Sequence, residues 1–180
     1  MQSDGYRKES NQNQTNFNLE LSSLSKNKHY LRYNFNDQYL STPSDRSQNQ
    51  LYSDRRGSDT PDDYVSSVGN SFAYAYQKNF NNNEFLLNAS FRTKDSFSDL
   101  ASTAYPSYSD TNLENYQLTP RINIVNDKIN STTGLDFQYS TYGSDRKKNE
   151  LVIPLHIYDA KQLSTSVYSQ NIYDLNNVFE

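Results

Sequence analysis

Residues 115–125 read NYQLTPRINIV, and after a short polar turn residues 129–141 read INSTTGLDFQYST. Apolar and polar residues alternate in both stretches, so Leu118 and Gln117 fall on opposite sides of an extended chain. A repeat of two is the pattern of a β-strand with one apolar face, whereas an amphipathic helix repeats every three to four residues. The Asn-Asp pair between the two stretches favours a tight turn, and together they predict an antiparallel hairpin.

The same alternation recurs on both sides of this hairpin. Because the segments are rich in Asn, Ser, Thr, Tyr and Phe, none of which is a strong helix former, helices are disfavoured. The sequence therefore predicts an all-β fold of about seven antiparallel, up-and-down strands. The further segments are TNFNLELSS (15–23), HYLRYNF (29–35), VGNSFAYAYQ (68–77), NEFLLNASFR (83–92) and, with weaker alternation, KQLSTSVYSQNIY (161–173).

The predicted connections alternate between tight and long. A barrel that spans the outer membrane has short turns at one end and long loops at the other. Several segments also run to ten or more residues, and a tilted strand needs roughly 9–11 residues to cross a bilayer. Residues 1–180 are therefore predicted to be part of a transmembrane β-barrel. The tight connections are 25–27, 81–83, 126–127 and 174–177, and the long loops are about 37–64, 95–112 and 143–160.

The composition argues against several other classes of protein, namely disordered chains, helical membrane proteins and nucleic-acid-binding proteins. The mean hydropathy is -0.99 and the hydrophobic fraction is 33%, yet 16 Tyr and 9 Phe are more aromatic residues than disordered chains usually contain. No apolar run reaches the roughly 18 residues of a membrane helix, whereas barrel strands need an apolar residue only at every second position. The net charge of -4 gives no basic footprint for nucleic acid. The opening residues lack the apolar core of a secretory signal, which favours an internal fragment.

No catalytic motif is present in the sequence. It contains no nucleophile elbow, no His-Glu-x-x-His and no glycine-rich phosphate loop, so neither an enzyme nor a cofactor is expected. The absence of Cys excludes disulfides and thiolate metal sites. His29 and His156 stand far apart without partners at metal-ligand spacing, so no metal site is expected.

Several segments follow one another in an order typical of one family, namely SDGYRKES followed by QTNFNLELSS, then LYSDRR and TPDDY, then YQLTPRINI, TTGLDFQYSTYGSDR and STSVYSQNIYDLNN. Their order resembles the early barrel of TonB-dependent outer-membrane receptors. The departure from the family is at Leu40-Ser41-Thr42-Pro43, where many relatives have Leu-Pro-Gly.

This resemblance implies a barrel of 22 strands with an N-terminal plug in its lumen. It implies a receptor in the outer membrane of a Gram-negative-type cell, in contact with lipid, which binds a scarce small molecule such as a ferric siderophore. Import would be driven by a TonB complex acting on the plug, and this chain is expected to contain neither the plug nor the coupling segment. A passive porin or channel, and a secreted β-sheet adhesin or binding module, remain alternatives.

Charged residues inside the strands are predicted to face the lumen, because an arginine near mid-bilayer on the lipid face would cost about 2–4 kcal/mol. The solvated face of a soluble sheet would show the same pattern. Pro120 predicts a bulge or a strand end. The apolar run LVIPLHIY (151–158) is expected within the third long loop, as a strand that rises above the membrane or as a patch that covers the ligand. The alternative is an extra membrane strand, which would change the strand count. The predicted lumen-facing residues are Glu20, Arg32, Arg92, Arg121 and Asp136.

The longest predicted loop contains the candidate ligand contacts Arg46, Tyr52, Arg55 and Arg56. Arginine and tyrosine suit an anionic, aromatic ligand, although the aspartates nearby could simply neutralise the arginines. Calcium is the alternative for those aspartates, but their spacing matches no EF-hand loop. Aromatic residues near strand ends are predicted to form interfacial girdles, and these are Tyr30, Phe80, Phe85, Tyr116 and Tyr173.

Overall fold

The computed structural model describes residues 2–3, 10–23, 25–42, 48–54, 56–57, 62–100, 107–148 and 153–173. These residues form one antiparallel sheet whose eight strands follow chain order. The predicted all-β, up-and-down fold is confirmed, and the short first strand is an addition to the seven that were predicted. The strands are β1 Gln2–Ser3, β2 Gln12–Ser23, β3 Asn27–Ser41, β4 Tyr64–Phe80, β5 Asn83–Leu100, β6 Ser107–Val125, β7 Ile129–Lys148 and β8 Ile153–Tyr173.

The strands extend well into the predicted loops, so the loop boundaries at 37–64, 95–112 and 143–160 are too wide. Residues 42–63, 101–106 and 149–152 are those that stand between the described strands at these three places. Pairing continues because the backbone ladder does not depend on side-chain alternation, which fades where both faces become polar. Asp95, for example, pairs with Asn112. Similarly, residues 153–158 of the apolar run begin β8 and are not a loop.

The tight turns lie together at one end of the sheet, called here the turn end. Residues 81–82 connect β4 to β5, and Asn81 has a φ of 55°, in the left-handed region that asparagine tolerates better than most residues. At residues 126–128, the backbone N–H groups of Asn126 and Ile129 each donate to the other's carbonyl, at 2.8 and 3.3 Å. The opposite end, called the loop end, has the longest connection, residues 42–63.

A short helix that the sequence did not predict, α1 (Gln48–Ser53), lies in this longest connection. The two ends of the connection are joined by a backbone hydrogen bond, in which the Thr42 N–H donates to the Asp63 carbonyl at 2.9 Å. Asp63 itself is almost completely buried, with 1% of its surface exposed. In the part of the chain that the structure describes, no helix has the length and apolar character needed to cross a membrane.

One face of the sheet, called the apolar face, carries rows of apolar side chains that run across the strands. The central row crosses all seven long strands, and its members are held in register by backbone pairing. Phe91 and Tyr116 in this row have ring centroids 4.6 Å apart. The row consists of Leu19, Tyr33, Phe72, Phe91, Tyr116, Tyr139 and Leu163.

The sheet is a single layer without a hydrophobic core among the residues that the structure describes. Large apolar side chains are instead exposed, with Phe17 at 52%, Leu118 at 41% and Val167 at 75%. A sheet normally buries its apolar face against another layer of secondary structure. This face therefore needs a cover from outside the described chain, which is either lipid or other protein.

Pro120 on β6 and Gly134 on β7 are residue types that are uncommon in the interior of a strand. The register is the same on both sides of Pro120, from Leu118 opposite Phe137 to Arg121 opposite Gly134, so the predicted bulge is absent. On the other side of β7, Gly134 pairs with Tyr168 of β8. The Tyr168 Cζ lies 2.5 Å from the position that a Cβ would take, so the ring occupies space that only glycine leaves open.

Candidate functional site

The face opposite the apolar one, called the polar face, contains all five residues predicted to face a lumen. Glu20 pairs with Arg32, Arg92 with Ser71 and Asn115, Arg121 with Gly134, and Asp136 with Ser166. Following these pairs from strand to strand places Glu20, Arg32, Arg92, Arg121 and Asp136 on one side of the sheet. Whether this side lines a lumen stays a prediction.

Basic side chains outnumber acidic ones on the polar face of the described strands. The excess of positive charge makes this face suited to anions, since no equal number of carboxylates is present to neutralise it. The basic residues are Lys28, Arg32, Arg92, Lys94, Arg121 and Arg146, and the acidic residues are Glu20, Glu84 and Asp136.

Arg32 is held by two neighbours on this face. Its Nη2 lies 2.7 Å from Glu20 Oε1, and its Nε donates to the same oxygen at 2.8 Å. The Nε also lies 3.1 Å from the Tyr30 hydroxyl. Both members of the ion pair are about half exposed, so water screens the pair and it contributes little to stability. Its effect is to orient Arg32 and to neutralise its charge.

The polar face is indented along β4. The five consecutive β4 positions on this face carry small side chains, so the backbone of β4 forms the floor of a trough between the longer side chains of β3 and β5. Four steps of two residues, at about 3.3 Å per residue, make the trough roughly 26 Å long. We call it the β4 trough, and its floor residues are Ser67, Gly69, Ser71, Ala73 and Ala75.

Two open grooves along the trough differ in their chemistry. The turn-end groove has a volume of about 430 Å³ and is lined by Tyr30, Asn88, Gln117 and Asp136 above the alanines of the floor. Asp136 Oδ2 accepts a hydrogen bond of 3.5 Å from the Ser166 hydroxyl. The lining is therefore mostly uncharged and able to form hydrogen bonds.

The loop-end groove has a volume of about 330 Å³ and a different chemistry. Its lining on the polar face comprises Asn34, Asn36, Gly69, Ser71, Arg92 and Lys94. Both cationic side chains are exposed. Among the described residues, the close ion pairs are those of Arg32 and Lys147, so neither cation of the groove has a carboxylate within 4.0 Å. The groove thus holds two positive charges without an acidic partner.

Lys94 was missed in the sequence because the fourth segment was ended at Arg92 and residues from 95 were assigned to a loop. The signal was present, since Arg92 and Lys94 continue the alternation of that segment by one more step. The strand in fact runs on to Leu100. Asn34 was likewise passed over as an ordinary polar position of a strand, and Asn36 follows directly after the predicted segment 29–35.

The predicted loop contacts are only partly described. Arg46 and Arg55 lie outside the described residues. Tyr52 lies on α1 with 80% of its surface exposed, and its hydroxyl accepts a hydrogen bond of 3.3 Å from Gln48 Nε2. The backbone N–H of Arg56 donates to Asp54 Oδ1 at 3.2 Å. Ligand binding by these four residues stays a prediction.

The predicted aromatic girdle needs two corrections. Tyr30 lies on the polar face beside Arg32, so it cannot face the same surroundings as the apolar rows. Tyr116 lies in the central row and not near a strand end. Phe80, Phe85 and Tyr173 lie near the turn end, as predicted from the sequence.

Metal binding has no support from side-chain positions in the described ranges. No three or more His, Asp or Glu side chains lie close enough together there to hold an ion. The aspartates of the longest connection are described only in part, since residues 43–47 and 58–61 lie outside the described residues.

Comparison with known proteins gives a structural likeness without a sequence likeness. No family model matches the chain, and no curated protein matches it. Among solved structures, the chain is similar to the ferric citrate transporter FecA in its unliganded form, with a TM-score of 0.73 over 93% of this chain. The fold matches a sector of a β-barrel. At 12% identity the likeness concerns the fold alone, and this chain spans 28% of the length of FecA.

Proposed function

We propose that this chain forms a sector of the wall of an outer-membrane β-barrel transporter, which binds a scarce small molecule such as a ferric siderophore and imports it. The observation that carries the proposal is the single-layer sheet with a continuous, exposed apolar face. Lipid covers such a face without a second layer of protein, whereas a soluble protein leaves it open to aggregation. The polar face then becomes the wall of the lumen.

Strand length supports this assignment. β4 to β8 have 17 to 21 residues each. Crossing a bilayer takes roughly 9–11 residues of a tilted strand, so these strands are long enough to cross and to continue beyond the membrane. Soluble strands are commonly about five or six residues long.

Import against a gradient needs a source of energy. The proposal assigns this role to a TonB complex acting through a plug in the lumen, and its support is the resemblance of the sequence to TonB-dependent receptors. The likeness of the fold to a ferric citrate transporter supports a small-molecule ligand in general terms.

Surface labelling in whole cells tests the orientation of the sheet. The chain contains no cysteine, so a single introduced thiol reports one position. We expect a membrane-impermeant maleimide to label Tyr52→Cys, on exposed α1 at the loop end, in intact cells. Asn82→Cys in the exposed turn of β4–β5 is the matched control, and it should be labelled only after permeabilisation of the outer membrane. Equal labelling of both thiols in intact cells would refute the proposed membrane orientation.

Uptake measurements test import. Cells that lack the gene encoding this chain should lose uptake of one class of radiolabelled iron complex among citrate, catecholate and hydroxamate complexes, because each transporter recognises its own ligand. A plasmid-borne copy should restore that uptake. Unchanged uptake of all three classes in iron-starved cells would remove iron complexes as the ligand.

A further inference from the structure

We propose that the loop-end groove of the β4 trough binds a small solute that carries two or more carboxylates. This inference deepens the proposed function by naming a class of solute, and it rests on that function for its biological meaning. The site lies in the wall of the sheet, on β3, β4 and β5, and is separate from the loop residues Arg46, Tyr52, Arg55 and Arg56.

The first reason is unneutralised charge. Arg92 and Lys94 line one groove, and within the described part of the chain no carboxylate lies within ion-pairing distance of either. Arg32, on the same face, is already paired with Glu20 at 2.7 Å. A solute anion at the groove therefore has two cations to bind without displacing an existing partner.

The second reason is the spacing of the two cations. Arg92 and Lys94 are two positions apart on β5, so their Cα atoms are separated by roughly 6.6 Å along the strand. Guanidinium binds a carboxylate through two parallel hydrogen bonds, and the lysine ammonium acts as a point charge. Two carboxylates of one solute can engage the two side chains together, whereas a monocarboxylate can engage one of them well.

The third reason is the lining around the cations. Asn34 Nδ2 donates to the Ser71 hydroxyl at 2.9 Å, and Asn36 Nδ2 donates to Asn16 Oδ1 at 2.5 Å. These bonds fix both amides at the edge of the groove. Gly69 leaves the floor open, because it has no side chain and only the Thr93 carbonyl lies near the place of a Cβ, at 3.6 Å. A volume of about 330 Å³ lies at the small end of ligand pockets.

Citrate is the probe for the experiment. The full chain in detergent is dialysed against radiolabelled citrate at low ionic strength, and the Arg92→Gln/Lys94→Gln double variant is compared with the unchanged chain. We expect the double variant to bind citrate about tenfold more weakly, since two charge-assisted contacts are removed. Radiolabelled acetate should also bind the unchanged chain about tenfold more weakly than citrate, because it spans one cation.

Arg121→Gln is the matched control. It removes one positive charge from the same face, about 20 Å along the sheet from the groove. Citrate binding should stay within about twofold, apart from a small effect of net charge that salt screens. Far-UV circular dichroism must show the same β-signal for all variants.

Three results would overturn the inference. They are unchanged citrate affinity in the double variant, an equal loss in Arg121→Gln, and equal affinity for citrate and acetate. The binding assay does not depend on transport across a membrane. If citrate binds and thiol labelling is as expected but no uptake is seen, the proposed import is refuted and the proposed binding site is retained. If thiol labelling and iron uptake are as expected but citrate does not bind, the binding site is refuted and the proposed function is retained.

Discussion

In plain buffer the chain is expected to aggregate, and β-structure in a dispersed particle is expected only with detergent or lipid. The apolar face exposes side chains such as Phe17, Leu118 and Leu163, at 52%, 41% and 64%, and the described residues provide nothing to cover them. The outer edge of β8 adds a long row of backbone groups that no strand in the described ranges pairs with, and such edges promote association. Size-exclusion chromatography with far-UV circular dichroism in both media measures this.

The contrary outcome is equally informative. A folded monomer that elutes from plain buffer would show that the apolar face is covered by the protein itself. The membrane proposal would then be abandoned in favour of a soluble β-sheet adhesin or binding module. A detergent control with an unrelated soluble protein excludes effects of the detergent on elution.

Leu118→Arg is expected to destabilise the sheet in lipid vesicles by about 2–4 kcal/mol, the cost of an arginine facing lipid near mid-bilayer. Leu118 lies on the apolar face between Ala89 and Phe137. Denaturant titration of the chain in vesicles, followed by circular dichroism, measures the free energy of unfolding. The change is large compared with the effect of an ordinary surface substitution.

Gln117→Arg is the matched control, because it introduces the same side chain one position earlier on the same strand. Gln117 faces the opposite way, onto the polar face between Ser90 and Gln138. We expect a change of less than about 0.5 kcal/mol, as for a solvated position. Equal losses in the two variants would contradict a lipid-facing and a water-facing side of β6.

The faces of the strands could be predicted because apolar and polar residues alternate within each strand, which assigns its side chains to two opposite faces. Alternation placed Leu118 and Phe91 on one side and Arg32 and Asp136 on the other, and the backbone pairing has them on those sides. The predicted loop boundaries were wrong because alternation weakens where both faces meet water, while hydrogen-bonded pairing continues. Asp95 opposite Asn112 is such a pair.

The β4 trough and its loop-end groove could not be predicted. Gly69 and Ser71 are unremarkable as a pair of small residues, and Asn34 and Arg92 are far apart in the sequence. They become neighbours through the registers of β3 with β4 and of β4 with β5. A shift of one residue in either register would move a whole set of side chains to the other face.

The sequence by itself determined the class of the fold, the order of the strands and the polarity of each face, because these depend on local alternation and on turns between neighbours. Only the tertiary structure decided the extent of the strands, the row that joins Leu19 to Leu163 and the groove that brings Arg92 and Lys94 beside Asn34. The physical reason is that these features depend on hydrogen-bonded register between strands. Register is set by hydrogen bonds summed over many residue pairs on two strands, so the sequence of one strand does not specify it.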